Sequence, residues 1–250
     1  MGVAYGIDPF WANQTNQGRT HVARVGVVQD GIQVNVDIGS TSSYAGINWF
    51  DLSSNGRNLS LTGSPTLSSQ NGGYFTFNES KYARRGSTTL DLSAGVSMEI
   101  IFRSSEIETR SQNIFAYSNV GLTPQLSLAC PGNGSLRWRT YTTWFGISNQ
   151  ENVGMELFLP NLKNNTWYHV IGTYDSAGIS NIYLNGSVGI TSTFPASSYS
   201  SSYSSSIYVS TLILSDGLRG DIAKIAIYNR PLTLAEVERN FGAMRRRYGI

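Results

Sequence analysis

The sequence predicts an antiparallel β-sandwich with one short helix at its C-terminal end, and three observations lead there. Turn signals recur about every 8–12 residues, the spacing of short strands joined by tight connections. Charged residues make up only 14% of the chain, while Ser, Thr, Asn, Gly and Tyr are abundant; that composition suits strands and polar turns better than helices built on Glu, Lys and Ala. Only one stretch, at the C-terminal end, combines an apolar helical period with cap signals. A chain of 250 residues buries a full core, and one sandwich uses that length as a single domain.

Residues 1–29 read as a polar, Asn/Gln-rich arm carrying the aromatics Tyr5, Phe10 and Trp11. The sandwich domain is expected over 30–250. Its first strand is "GIQVNVDIG", where Ile32, Val34, Val36 and Ile38 alternate as on a half-buried strand. The next stretch, "WFDLSSNGRNLSLTGSPTLSS", is turn-rich, with breakers at Asn55-Gly56 and Gly63-Ser64-Pro65. "GGYFTFNES" and "VSMEIIFRS" follow as strands, the second directing Met98, Ile100 and Phe102 inward. Short strands are expected around Ile114 to Tyr117, Gln125 to Ala129, Leu136 to Tyr141 and Glu156 to Leu159. In "NTWYHVIGTYDSAGISNIYLNGSVG", Tyr168, Val170 and Tyr174 share one strand face and Trp167, His169 and Ile171 the other. The turn Asp175-Ser176-Ala177-Gly178 follows, and Asn185-Gly186 is a two-residue hairpin signal. "IYVSTLILS" and "DIAKIAIYN" complete the strands.

The helix lies in "NRPLTLAEVERNFGAMRRRYGI". Thr233 is placed to cap it and Glu236, three residues on, to reach back, which is a capping box. Leu234, Val237, Phe241, Met244 and Tyr248 form one apolar stripe, and Arg245, Arg246 and Arg247 stand in the last turn, where positive charge suits the helix dipole. A helix this short needs a partner surface. The three arginines form either a solvated dipole complement or a contact for an acidic partner.

The net charge of +2 gives no ground for nucleic-acid binding or attraction to an anionic membrane. No apolar run approaches the roughly 20 residues of a membrane span, and residues 1–19 lack the apolar core of a signal peptide. Gly6 stands where a myristoylation signal needs Ser or Thr. The lone cysteine, Cys130, excludes an internal disulfide, and its neighbours Ala129 and Pro131 supply no activating charge, so it reads as a packed thiol. "PASSYSSSYSSSIY" sets Tyr199 and Tyr203 in serine: an exposed loop, or a contact surface of the kind Tyr and Ser build together.

Two motif groups resemble the laminin-G-like branch of the concanavalin A-like lectin/glucanase superfamily. The first comprises Trp167, His169, Val170, Tyr174, Asp175, Tyr183, Leu184, Asn185 and Gly186. The second comprises Gly220, Ile222, Ile227, Tyr228, Asn229, Arg230, Leu232 and Glu236. The segment "DGIQVNVDIGSTSSYAGINWFDLSSNGRNLSLTGSPTLSSQNGGYFTFN" looks like the opening of the same branch, so the resemblance covers 30–250. Leu218 stands where that branch usually has Phe, and "FNES" replaces its Phe-Asp-Gly. The resemblance implies an all-β, two-sheet antiparallel jelly-roll sandwich and gives His169 a structural role in place of a base or metal ligand. It admits calcium by analogy only, and no Asp-x-Asp-x-Asp cluster is present; no other cofactor is implied.

The fold hosts enzymes, lectins and structural modules, so function must come from residues. Glycosidases of this fold carry paired carboxylates on one strand face, and retaining chemistry needs them about 5–5.5 Å apart. The nearest candidate, Glu106-Ile107-Glu108 with Arg103 and Arg110 near it, lies in a polar stretch without a third acid. The sequence therefore points to a non-enzymatic protein. One expectation is a structural protein of a bacteriophage virion, a head decoration or a tail or fibre component, because the ending "ERNFGAMRRRYGI" resembles laminin-G-like proteins of phage particles. Its partners would be other virion proteins and copies of itself, through Tyr5, Phe10, Trp11, Arg245, Arg246 and Arg247. The alternative is a carbohydrate-binding module or adhesin for cell-surface glycans. "LRWRTYTTWFG" offers Arg139, Tyr141 and Trp144 for it, with Arg139 and Tyr141 on the strand face opposite Trp138, and Tyr199 and Tyr203 would add contact area. The virion is the expected location, reached from a host cytoplasm.

Overall fold

The computed structural model describes residues 26–86, 90, 94–118, 126–142, 153–193, 211–214 and 217–250, with backbone alone at 117–118, 141–142, 153–155 and 211–214. Its strands in chain order are β1 (Ile32–Asp37), β2 (Tyr44–Ala45), β3 (Asn48–Trp49), β4 (Leu59–Thr62), β5 (Thr66–Ser68), β6 (Tyr74–Phe77), β7 (Tyr82–Gly86), β8 (Gly95–Ser104) and β9 (Gln112–Ser118). They continue with β10 (Leu126–Cys130), β11 (Leu136–Thr142), β12 (Val153–Leu159), β13 (Tyr168–Asp175), β14 (Ile179–Leu184), β15 (Ser187–Thr193), β16 (Thr211–Leu214) and β17 (Gly220–Tyr228). The helix α1 (Leu234–Tyr248) ends the chain.

Two sheets form the sandwich. The eight-stranded sheet runs β15-β14-β13-β8-β17-β6-β5, with β1 also paired to β17, and the nine-stranded sheet runs β12-β11-β10-β9-β16-β7-β4-β3-β2. Every ladder is antiparallel. The Asn185-Gly186 turn behaves as its sequence predicts. Both residues have positive φ, 48° and 81°, the conformation of a tight turn whose twist matches the flanking strands.

The core between the sheets includes Val34, Val36, Trp49, Phe75, Phe102, Leu128, Trp138, Val170 and Ile225, and the expected inward set Met98, Ile100 and Phe102 is part of it. Trp138 crosses from β11 toward β13. A Cβ on Gly172 would lie 2.5 Å from its ring, so only glycine leaves room for the indole there. The opposite face of the eight-stranded sheet is also covered. Ile171, Tyr183, Ala226, Tyr228, Leu232 and Val237 form a second cluster, and Tyr74, Ile101, Trp167, Ala223 and Tyr248 a third. Strands β8, β13 and β17 are thus buried on both faces, which is why their sequences run nearly continuously apolar instead of alternating.

Helix α1 begins as expected. Thr233 accepts from the Glu236 N–H, the Glu236 side chain returns to Thr233, and Gly249 closes the other end in the left-handed conformation. The stripe is rotated from the expected one. Val237 and Tyr248 are buried and Phe241 and Met244 half-buried, but Leu234 is 42% exposed, and the wholly buried position between them is Asn240. The short strands β3 to β5 fall within 48–68, in and just before the turn-rich segment, and β2, β7 and β15 are further strands beyond those read from the sequence; β3 and β4 are short and separated by Gly56, whose φ is positive. Residues 26–29, at the end of the expected arm, lie against α1. Val28 is buried, its N–H donates to Asn240 Oδ1 at 2.7 Å, and Arg239 Nε donates to the Gly26 carbonyl at 2.7 Å.

Candidate functional site

Trp138 decides which way β11 faces. Its ring is buried between the sheets and its Nε1 donates to Ser180 Oγ at 3.1 Å, so strand alternation sends Arg137 and Arg139 to the outer face of the nine-stranded sheet. Register extends that face sideways. Arg139 stands between Glu156 on β12 and Ser127 on β10, and the row continues through Ala116, Ile213, Arg84 and Ser60. Two residues along, Arg137 stands between Phe158 and Ala129, with Asn113 beyond. Ser127, Ala129 and Ala116 on these rows are small and buried. Phe158 is 45% exposed.

The charge on these two rows is uneven. Arg139 is ion-paired with Glu156. Arg137 is half-buried with its Nε out of solvent, and none of its nitrogens meets an acceptor among the described residues. Arg84 is exposed. Three arginines therefore face one carboxylate, and that carboxylate is already engaged. Sequence reading found Arg139 but gave no role to Phe158, because an aromatic in "MELFLP" reads as core until the register of β12 is known.

The ends of several strands meet beside this face. Thr211 pairs with both Gly86 and Ser118, Leu126 with Tyr117 and Thr142 with Val153, so these residues share one end of the nine-stranded sheet. Trp144, Tyr199 and Tyr203 lie outside the described residues, as do Tyr5, Phe10, Trp11 and the side chain of Tyr141.

His169 belongs to a different construction, beneath α1. Its Nε2 lies 3.0 Å from Glu99 Oε1. Oε2 of Glu99 is 2.9 Å from Lys224 Nζ and accepts from Asn240 Nδ2 at 2.9 Å and from Tyr228 Oη at 3.2 Å. All five side chains are buried. Burial pushes the Glu99 carboxyl up, but Lys224 and His169 outweigh it and hold it at about 2. Burial, with Glu99 beside it, drives the Tyr228 hydroxyl far above its ordinary value. The cluster is closed to solvent and joins β8, β13, β17, α1 and Val28, so its work is structural. Cys130 is likewise buried, and burial pushes its thiol up to about 12, leaving an unreactive thiol.

Glu106 and Glu108 follow β8 in a turn and are both engaged. Arg219 Nη1 donates to Glu106 Oε1 at 2.9 Å; Lys163 Nζ donates to Glu108 Oε1 at 2.8 Å and the Asn164 N–H to Oε2 at 3.2 Å. Of the C-terminal arginines, Arg245 and Arg246 are exposed, while Arg247 is turned inward onto Asp37 at 2.5 Å. Among the described residues no three His, Cys, Asp or Glu side chains gather as a metal would require, so no calcium donor set is found there. No described helix is long and apolar enough to cross a membrane.

Residues 77–238 match the profile of a laminin G-type family described as the concanavalin A-like lectin/glucanases superfamily, and the chain belongs to that family. No curated protein matches it in sequence. Among solved structures it is similar to the receptor-binding domain of botulinum neurotoxin type G, with TM-score 0.61 and 15% identity over 85% of this chain and 51% of that one. It is also similar to the binding domain of botulinum neurotoxin DC in complex with SialylT, with TM-score 0.66 and 13% identity over 86% and 52%. The sialidase of Trypanosoma rangeli in complex with sialic acid gives TM-score 0.61 and 13% identity over 86% of this chain and 33% of the enzyme. The chain spans about half the length of the toxin domains and a third of the sialidase. At these identities the likeness is one of fold, and the fold is lectin-like.

Proposed function

We propose that this protein is a non-enzymatic recognition module of lectin type that binds carbohydrate on the outer face of its nine-stranded sheet. The observation that carries the reading is the row Phe158, Arg137, Ala129, Asn113, lying beside the Arg139–Glu156 pair. An exposed aromatic ring, fixed polar groups and a floor of small residues are what a sugar needs, since its apolar face stacks and its hydroxyls require donors and acceptors. Arg139 stands in this face, and Tyr141, Trp144, Tyr199 and Tyr203 are proposed to add contact area. Solved structures similar in fold include botulinum neurotoxin binding domains in complex with N-acetylneuraminic acid and with SialylT, which supports the reading by analogy. A glycan array with the wild-type chain and Phe158→Ala tests it. Binding that drops sharply in the variant is expected; an array on which the wild type binds no sugar ends the proposal.

A second reading, assembly into a bacteriophage particle as a decoration, tail or fibre component, is favoured by the C-terminal resemblance and by the exposure of Arg245 and Arg246 on α1. It is compatible with sugar binding. Arg247, by contrast, is engaged by Asp37 within the chain. The reading predicts homo-oligomers in solution that dissociate in Arg245→Glu/Arg246→Glu; a wild type that sediments as a monomer at all concentrations counts against it.

A further inference from the structure

The geometry points to Arg137 as the reading head for a carboxylate-bearing sugar bound on the outer face of the nine-stranded sheet; this rests on the lectin-type reading above. Several arginines of the fold are held by carboxylates. Arg103 is held by Asp221, Arg219 by Glu79 and Glu106, Arg230 by Asp30 and Glu236, Arg247 by Asp37, and Arg139 by Glu156. Among the described residues Arg137 meets no such carboxylate, although it is half-buried and its Nε is sealed from solvent. A charge held partly out of water without a counter-ion is costly. The Arg137 Nε is enclosed, and the fork at the end of the side chain is left for an acceptor from outside.

The neighbours define what that acceptor is attached to. Phe158 is the cross-strand partner of Arg137 on one side and Ala129 on the other, with Asn113 one strand further. Strands about 4.8 Å apart put Phe158 and Asn113 roughly 14 Å from each other across the sheet. That span is lined in order by an aromatic face, a guanidinium, a methyl-sized floor and an amide. A sugar ring on Phe158 places a ring carboxylate over Arg137, and the next ring over Ala129 brings its hydroxyls to Asn113. The planar fork of arginine matches a planar carboxylate with two parallel hydrogen bonds, a geometry that a tetrahedral sulfate does not reproduce equally. Glu156 does not compete for Arg137, because Arg139 occupies it. Arg84, four strands from Arg139 on the same face, adds positive potential without touching the site.

Titration calorimetry with three matched oligosaccharides tests this: one bearing a hexuronic or sialic carboxylate, its carboxyl-reduced neutral counterpart, and a sulfated counterpart. The carboxylate form is expected to bind about tenfold or more tightly than the neutral form, the effect of one charge-assisted pair. Arg137→Gln is expected to lower carboxylate affinity about tenfold or more and to abolish the preference over the neutral form, Arg137→Lys restores only part of it, and Arg84→Gln leaves it intact. Circular dichroism melts confirm that each variant is folded. Equal affinity for carboxylate and neutral sugars, or a preference that survives Arg137→Gln, overturns the inference and leaves the lectin reading standing. A sulfated sugar bound as tightly as the carboxylate overturns the carboxylate assignment. Failure to bind any of the three removes the lectin reading and the inference together.

Discussion

Arg247 in the last turn of α1 grips Asp37 at the end of β1 through two hydrogen bonds, Nη2 to Oδ1 at 2.5 Å and Nη1 to Oδ2 at 3.0 Å, and Nη2 also donates to the Gly72 carbonyl at 3.0 Å. Both side chains are mostly out of solvent, so the fork locks the helix end to the sheet with little screening. Arg247→Ala leaves Asp37 without its counter-ion and is expected to lower unfolding free energy by about 2 kcal/mol. Arg245→Ala and Arg246→Ala, one and two residues away but exposed, should stay within about 0.5 kcal/mol of wild type. Urea midpoints of the three variants separate the roles; equal effects would show that the Arg247 pair is not a clamp.

Acid should loosen the helix from the sandwich. The Glu99 carboxyl is held at about 2 in the folded protein against an ordinary 4.5, so between those values the unfolded chain binds the proton and the folded chain does not. Its stabilisation is complete above about pH 4.5 and is lost as pH falls toward 2. Glu236, bonded to Arg230, is also held at about 2 and adds a slope of the same sign. Melting temperature is therefore expected to hold level around neutral pH and to fall below pH 4.5. Glu99→Gln should be less stable at pH 7, because Lys224 loses its carboxylate, and should show a shallower acid decline. A variant with an undiminished acid slope would place the titrating group elsewhere.

Gly172→Ala puts a methyl where the Trp138 ring already stands, 2.5 Å from its Cδ2. The clash is with a fixed aromatic ring in the core, and φ is not the issue at this position. Overpacking of this kind costs about 1–3 kcal/mol, to be measured as a shift in urea midpoint with unchanged slope. Since Trp138 also orients β11, the variant tests whether the outer face depends on that ring.

The sandwich was legible in the sequence because its signals are local: turn spacing, the Asn185-Gly186 hairpin, the Thr233–Glu236 capping box. The short strands β3 to β5 were not, because two to four residues carry too little pattern to outweigh the breakers around them. The burial of Asn240 and the exposure of Leu234 depend on how α1 is rotated against the sheet, which no period within the helix determines. Glu99 and Lys224 did leave a trace, since each interrupts an apolar strand, "SMEIIF" and "IAKIAI". Two opposite charges in two such strands are a pairing signal, but only the β8–β17 register shows that they meet. The outer-face row is of the same kind. Arg137, Phe158 and Asn113 lie on three strands, β11, β12 and β9, and become neighbours only through pairing.

Glu106 and Glu108 give the last test, because they are the carboxylates nearest to a glycosidase pattern. Each is already engaged by cations or an amide: Glu106 by Arg219, with Arg110 close by, and Glu108 by Lys163 and the Asn164 N–H. A catalytic acid needs a raised value so that it carries a proton at working pH, whereas the Lys163 hydrogen bond holds the Glu108 carboxyl below its ordinary value. Glu108 is therefore not poised to protonate a glycosidic oxygen, and Glu106 is held by Arg219. The wild type is expected to release no reducing sugar from any oligosaccharide it binds, and Glu106→Gln and Glu108→Gln to keep wild-type glycan affinity and a near wild-type melting temperature, as surface pairs do. Sugar release by the wild type that disappears in Glu106→Gln would make the protein an enzyme and return the turn after β8 to the centre of its chemistry.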